Sequence, residues 1–335
     1  MKNVTRAALF LALLFLLACA ATAQSDRAKI EIVVPKSYTA PQLVISADHE
    51  RLLKSAVDAV LDPANGKKFK AEELAATLID VSDPNNLRWA SVNGEKPIYP
   101  ASVVKMFFMA ALERQLEDGK VTMTPELSRG LKDMIVDSSN EATQYILDVL
   151  TDTSSGSELP QKQFEQWQYQ RNRVNRYFSA MGYTNINVNQ KTFCEDAYGI
   201  EQQSRNYKGQ NRNMITTNAT ARLLAEIVLG RLNTPERTKA MMDLMKRDPF
   251  TKAKDPDSQS INFTGKALID ANMTDAKLWS KAGWTSRARH DAAYIETADG
   301  LKLVLTVYTE NHADDREAIP MVAAKVIEGL RQARK

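Results

Sequence analysis

The sequence predicts an α/β fold of the α+β type: an antiparallel sheet flanked by helices, with an all-helical subdomain inserted into it. Three observations predict it. Strand-type runs lie near both ends of the chain, at residues 74–81 and 87–92 and again at 278–283, 292–296 and 301–308. Between them apolar residues recur at helical spacing. The two groups of strands can share one sheet only if the helical block, about residues 101–265, is an insertion.

The elements follow in order. Lys2 and Arg6 precede an apolar run over residues 7–18, and Ala21-Thr22-Ala23 stands before Gln24. A basic start, a short apolar run and an A-x-A site predict a signal peptide over residues 1–23. Leu16-Leu17-Ala18-Cys19 also fits a lipoprotein box, which would leave a lipid on Cys19. Either way the expectation is export, to the periplasm or outside the cell. Residues 24–45 read as an irregular N-terminal segment, and residues 46–335 as the folded domain. Leu52, Leu53, Val57, Val60 and Leu61 predict a helix over 48–61, stopped by Asp62-Pro63. Residues 74–81 alternate and end at Asp83-Pro84-Asn85-Asn86; with 87–92 they predict a hairpin. Residues 101–116 contain Met106-Phe107-Phe108-Met109-Ala110-Ala111-Leu112, apolar on every side, so this helix is central and buried. Helices are predicted over 125–136 and 140–150, joined by Asp137-Ser138-Ser139. Residues 161–181 read as one polar, solvated helix and 182–213 as irregular. Helices follow over 217–229 and 235–245, the latter with Pro235 at its first position. Asp299-Gly300 turns between the last two strands, and residues 313–334 form a closing helix bent near Pro320.

Composition excludes several classes. The 335 residues carry 44 Lys+Arg against 41 Asp+Glu, a formal net charge of +3. That lacks the basic surplus of a nucleic-acid binder. At 44% hydrophobic and 25% charged residues the chain is an ordinary globular one. The only cysteines are Cys19 and Cys194, too few for a disulfide framework or a cysteine zinc site. His49, His290 and His312 do not stand at metal-ligand spacing. No metal or cofactor is called for. Beyond the leader no run of 18 uncharged apolar residues exists, so no membrane-spanning segment is expected.

The chemistry begins at Tyr99-Pro100-Ala101-Ser102-Val103-Val104-Lys105. A Ser at a helix start and a Lys three residues on share one face. An amine held against an apolar core loses charge and can accept the serine proton. The helix N-terminus favours a developing oxyanion. Ser138-Ser139-Asn140 lies in the loop between two helices, where a helix cap is the plain structural reading. Lys281-Ala282-Gly283 lies in a late strand, and its glycine permits a close approach to the backbone. A Gly-x-Ser-x-Gly elbow is absent, and His290-Asp291 are chain neighbours, so a Ser-His-Asp hydrolase is disfavoured.

Ser-x-x-Lys, Ser-x-Asn and Lys-x-Gly in this order resemble the class A β-lactamase family, which shares this trio with penicillin-binding proteins. The resemblance runs from about Ser46 to the C-terminus and includes the segment around Thr216-Thr217. It implies a β-lactamase/transpeptidase-like fold and a monomer acting on a β-lactam or a peptidoglycan stem peptide. It implies Ser102 as the acylated nucleophile, Lys105 as the proton relay and Ser138 as proton donor to the leaving nitrogen. Asn140 would hold the substrate amide, and Lys281 would attract its carboxylate. The backbone N–H groups of Ser102 and Trp284 would form the oxyanion hole, with Gly283 beside them. The pattern departs from the family at Ser139, which replaces an Asp, and at Ala282, which replaces a hydroxyl residue that Thr285, Arg287 or Arg289 could stand in for. It departs most at the loop glutamate that activates water. That position falls near Lys191-Thr192-Phe193, and the nearest acids are Glu195 and Asp196. The stretch over about 151–170 is extra. Glu195 is the expected base. The alternatives are a penicillin-binding D-Ala-D-Ala peptidase and a weakly active cell-wall-binding relative.

Overall fold

The structure is a computed structural model that describes residues 31–251, 255 and 257–334. The expected leader, Cys19 and both cleavage positions lie outside the described residues. In chain order the elements are β1 (Leu43–Ile45), α1 (Ala47–Leu61), β2 (Leu74–Asp80) and β3 (Leu87–Val92). A 3₁₀ turn (Ala101–Val104) then leads into α2 (Lys105–Glu117), α3 (Pro125–Ile135) and α4 (Asn140–Thr151). Next come α5 (Gln161–Arg171), α6 (Arg173–Ala180), α7 (Ile200–Arg205), α8 (Thr217–Val228) and α9 (Pro235–Met245). The chain closes with β4 (Lys246–Arg247), α10 (Thr264–Asp270), β5 (Lys277–Trp284), β6 (Ala288–Glu296), β7 (Lys302–Glu310) and α11 (Ala318–Gln332).

The strands make one sheet in the order β1-β3-β2-β7-β6-β5-β4. Strand β1 runs parallel to β3, and all other neighbours are antiparallel. The hairpin from the N-terminal half therefore joins the C-terminal strands through β2 and β7. Strand β2 is buried along its whole length, because helices cover both faces of the sheet. Alternate residues feed two cores: Ala75 and Ile79 face α2 and α8, while Leu74, Ala76 and Leu78 face α1 and α11. Helix α2 is buried from Lys105 to Leu116, as its all-round apolar sequence requires. Thr77 Oγ1 donates to Thr217 Oγ1 at 2.8 Å, and Thr220 Oγ1 lies 2.8 Å from Tyr308 Oη, which seats α8 on β2 and β7.

Several expectations are corrected. The segment 161–181 is two helices broken at Asn172, and it is not solvated: Phe164, Trp167, Arg171, Val174, Tyr177 and Phe178 are buried. The polar letters mislead because Arg171 and Gln168 are buried in hydrogen-bonded positions. The irregular N-terminal segment contains β1, an edge strand too short to show a period, with Val44 and Ile45 exposed. Residues 182–213 include α7, and β4 and α10 occupy a stretch without a clear pattern. The last helix begins at Ala318, not 313. Pro320 falls in its first turn, where the missing N–H has no intrahelical acceptor to lose.

Candidate active site

The cleft lies where the 3₁₀ turn and the α3–α4 loop meet β5. Ser102 is the second residue of the 3₁₀ turn, and Lys105 opens α2 directly behind it. Gly283 explains how close the turn sits. A Cβ there would lie 2.6 Å from Ser102 N and 2.9 Å from both Pro100 O and Val103 N. The close approach expected of this glycine is thus made by the chain's own 3₁₀ turn, the one that carries Ser102. The turn is also held from below. Thr309 N donates to His290 Nδ1 at 3.2 Å, so the ring proton is on Nε2, which donates to Tyr99 O at 2.9 Å. Burial pushes the His290 pKa down to about 4, so the ring is neutral.

Two residues of the cleft have strained backbones. Among the described residues eight non-glycine residues have positive φ, and five of them are Asn or Asp, which tolerate it. Ala101 (φ 46°) and Ser138 (φ 59°) are not of that kind, and each conformation costs about 1–3 kcal/mol. One precedes Ser102 and the other carries the second motif's hydroxyl. The strain sits where side chains must be aimed into the cleft.

Lys105 is fully buried, and its Nζ is turned to the α3–α4 loop. It donates to Ser138 O, to Asn140 Oδ1 at 2.9 Å and to Ser139 O at 3.3 Å, with Ser138 Oγ at 3.4 Å. Burial lowers its pKa to about 7, against the opposing charges of Glu141 and Cys194. Near neutral pH a large share of this amine is therefore unprotonated and has a lone pair. Ser102 Oγ makes no hydrogen bond among the described residues, and catalytic contacts of this kind often tighten only with substrate bound.

Ser138 Oγ stands between the two amines, 3.0 Å from Lys281 Nζ. Lys281 is fully buried and held well below the usual lysine pKa. Burial is the chief cause, with Lys105 and Arg247 adding like charge and Asp291 opposing. Ser139 caps α4 by accepting from Ala142 N at 3.1 Å, so the plain cap reading holds for that residue. The backbone of β5 supplies the remaining group. Ala282 N donates away from β6, to Gln259 Oε1 at 3.0 Å. Alternate N–H groups of a strand point to the same edge, so Trp284 N–H emerges on the edge that Ala282 N–H uses. The Trp284 ring is 38% exposed and lies 5.8 Å from Phe263.

The structure brings Ser102, Lys105, Ser138, Asn140, Lys281, Gly283 and Trp284 together. Glu195 stands apart. It is exposed and lines a neighbouring cavity of about 470 Å³ with Tyr99, Arg212, Thr285 and Arg287. Asp196 pairs with Arg205. The side chain that meets Asn140 from this loop is Cys194, whose Sγ accepts from Asn140 Nδ2 at 3.4 Å. Lys191, near the position where a glutamate is expected, is buried. It bonds Asp148 Oδ2 at 2.6 Å and Ser155 Oγ at 2.7 Å and pairs with Glu201 at 3.3 Å. The three residues considered as replacements for the hydroxyl missing at Ala282 are each engaged elsewhere, although Arg289 Nε has no partner among the described residues. Thr285 Oγ1 accepts from Arg287 N and Ala288 N, Arg287 bonds Asn311, and Arg289 bonds Asn262 O over the Phe263 ring. Sequence reasoning missed His290 and Gln259, whose roles depend on pairings distant in the chain. Among the described residues no three His, Cys, Asp or Glu side chains converge to hold a metal ion. Nor is any helix there long and apolar enough to cross a membrane.

Comparison with known proteins agrees with this geometry. A family model described as the Beta-lactamase enzyme family matches residues 52–329. No curated protein matches the chain. Among solved structures, a beta-lactamase from Sphaerobacter thermophilus DSM 20745 superimposes with a TM-score of 0.58 at 19% identity, covering 84% of this chain and 97% of that one. PBP-A superimposes with a TM-score of 0.57 at 16% identity, covering 88% and 100%. A class A beta-lactamase from Bacteroides cellulosilyticus DSM 14838 gives 0.59 at 15% identity, covering 84% and 98%. At these identities the likeness shows the fold, which is β-lactamase/transpeptidase-like.

Proposed function

The chain belongs to the beta-lactamase enzyme family, and from that premise we propose that it is a serine hydrolase that opens β-lactam rings through an acyl-enzyme on Ser102. The observation that carries this reading is the line Lys105–Ser138–Lys281, a buried amine with a pKa near 7, a strained serine and a second buried amine. Neutral Lys105 takes the Ser102 proton as Oγ attacks the lactam carbonyl. The N–H groups of Ser102 and Trp284 receive the oxyanion. The C–N bond breaks, and Ser138 gives its proton to the leaving nitrogen. Protonated Lys105, 3.4 Å away, restores the proton to Ser138. Arg247, and Lys281 in its protonated form, give the cleft a positive field suited to a substrate carboxylate, whose charge would offset the burial that lowers the Lys281 pKa. Asn140 holds the substrate amide once Lys105 turns toward Ser102.

Release of the acyl group is slow in this reading, because Glu195 faces the neighbouring cavity and a thiol meets Asn140 in its stead. That observation favours, as a second reading, a penicillin-binding D-Ala-D-Ala peptidase, which shares the acylation step. A penicillin G acyl-enzyme has been captured in a mutant of PBP-A, a protein of the same fold. The protein is exported, with residues 1–23 removed or a lipid on Cys19, and acts as a monomer. N-terminal sequencing beginning at Gln24 or Cys19 supports export, and an intact Met1 on exported material contradicts it. Covalent labelling by a fluorescent penicillin tests the nucleophile: it should vanish in Ser102→Ala, and labelling that persists in a folded Ser102→Ala overturns the assignment.

A further inference from the structure

Gln259 is buried, and its side-chain amide ends on both walls of the cleft. Its Oε1 accepts from Lys281 Nζ at 2.8 Å and from Ala282 N at 3.0 Å. Its Nε2 donates to Val136 O at 3.0 Å and Ile135 O at 3.4 Å. The partners fix the amide's orientation, since a flipped group would set an amino group against two donors and an oxygen against two carbonyls. One wall is the segment that leads to Ser138; the other is β5. In its protonated form Lys281 has three protons for three acceptors: Ser138 Oγ at 3.0 Å, Gln259 Oε1 at 2.8 Å and Ala282 O at 2.7 Å. Such a set orients an ammonium group. The Ala282 side chain, at a position where the family has a hydroxyl, contributes nothing to it, because that methyl packs in the core shared with α1 and α11.

We propose that Gln259 is a positioning residue: it holds the Lys281 ammonium on Ser138 Oγ and clasps the 135–138 segment to β5, and so sets proton delivery to the leaving nitrogen. This deepens the serine-acylation reading and rests on it. The charged groups facing Lys281 are Lys105 from α2 and Arg247 from β4, which oppose its charge, and Asp291 from β6, which favours it. Gln259 adds a neutral acceptor to that balance. Gln259→Glu sets a carboxylate against the ammonium and extends its protonated range to higher pH. Gln259→Leu removes the acceptor and shortens that range. The two substitutions therefore move the alkaline limb of acylation in opposite directions, while the acidic limb, set by Lys105, stays near pH 7.

The test is the rate of fluorescent-penicillin labelling against pH for the mature parent, Gln259→Glu and Gln259→Leu, with thermal unfolding of each as a fold control. The expected result is an alkaline limb shifted up in Gln259→Glu and down in Gln259→Leu. The neutral-pH rate of Gln259→Leu should fall on the order of 10²-fold through misplacement of Ser138 and Lys281. If Gln259→Leu does not fold, the near-isosteric Gln259→Glu decides alone: an upward shift supports the inference and an unmoved limb overturns it. Folded variants that lose rate equally, with the alkaline limb in place, show a merely structural amide and overturn it too. A parent that takes up no penicillin overturns the acylation reading itself, and this inference with it.

Discussion

At the scale of single residues, burial adjusts Lys105 for the proposed chemistry. Its amine loses hydration, and among the described residues no carboxylate sits within bonding distance to restore the charge, so the pKa falls to about 7. Acylation should therefore rise with pH through an apparent pKa near 7 as the amine becomes neutral. A stopped-flow labelling profile checks this, and a rate that falls as pH rises through 7 contradicts it. Lys105→Ala should slow acylation by about 10²–10⁴-fold. Gly283→Ala makes a separate prediction. Its methyl would meet three backbone atoms of the nucleophile turn, which cannot swing aside as a side-chain tip could. Acylation should fall on the order of 10²-fold or more even if the protein folds. That Ser102, Lys105, Ser138 and Lys281 would meet in one cleft was legible in the sequence, because motif spacing carries them. The positive φ of Ala101 was not, since nothing in alanine favours that conformation. Gln259 was not legible either, because a lone Gln in an unpatterned stretch has no signal until β5 and the 135–138 segment are brought to it.

At the scale of elements, the legible pieces were those with a sustained period and a stop signal. The helices over 47–61, 105–117, 125–135, 140–151, 217–228 and 235–245 and the hairpin of β2 and β3 are of this kind. The break at Asn172 was not legible, because α5 and α6 bury charged and amide groups that read as solvated. Arg171 is fully buried and pairs with Glu201 at 2.6 Å and Asp148 at 3.2 Å, while Lys191 reaches both acids from the loop. These contacts fasten the irregular loop to α4, α5 and α7, and place Cys194 three residues beyond Lys191. Removing one partner leaves an uncompensated buried charge, so Arg171→Met should cost about 3–5 kcal/mol. Urea unfolding measures the loss, and a change under 1 kcal/mol would show that water already screens the network.

At the scale of the whole molecule, the cleft is a seam between a helical block and a sheet. His290 of β6 holds one side of it by donating to Tyr99 O. Its pKa is about 4 in the folded chain against 6.5 for the free group, so between these values the unfolded chain binds more protons. Stability contributed by neutral His290 is therefore present above pH 6.5 and is lost as pH falls toward 4, on the order of 3 kcal/mol in all. Urea midpoints over this range should slope less in His290→Asn than in the parent; equal slopes would remove His290 as the cause. The sequence implied the sheet joined from both ends, but not the contacts that close the seam. In the proposed function the assembled cleft acylates Ser102 readily and releases the product slowly. The most direct measurement is the intact mass of the mature protein over time after mixing with penicillin G, followed by peptide mapping. An adduct on the peptide carrying Ser102 should accumulate and decay only over many turnovers of an efficient lactamase. Penicillin hydrolysis with no detectable adduct, or an adduct on any other residue, would contradict this expectation.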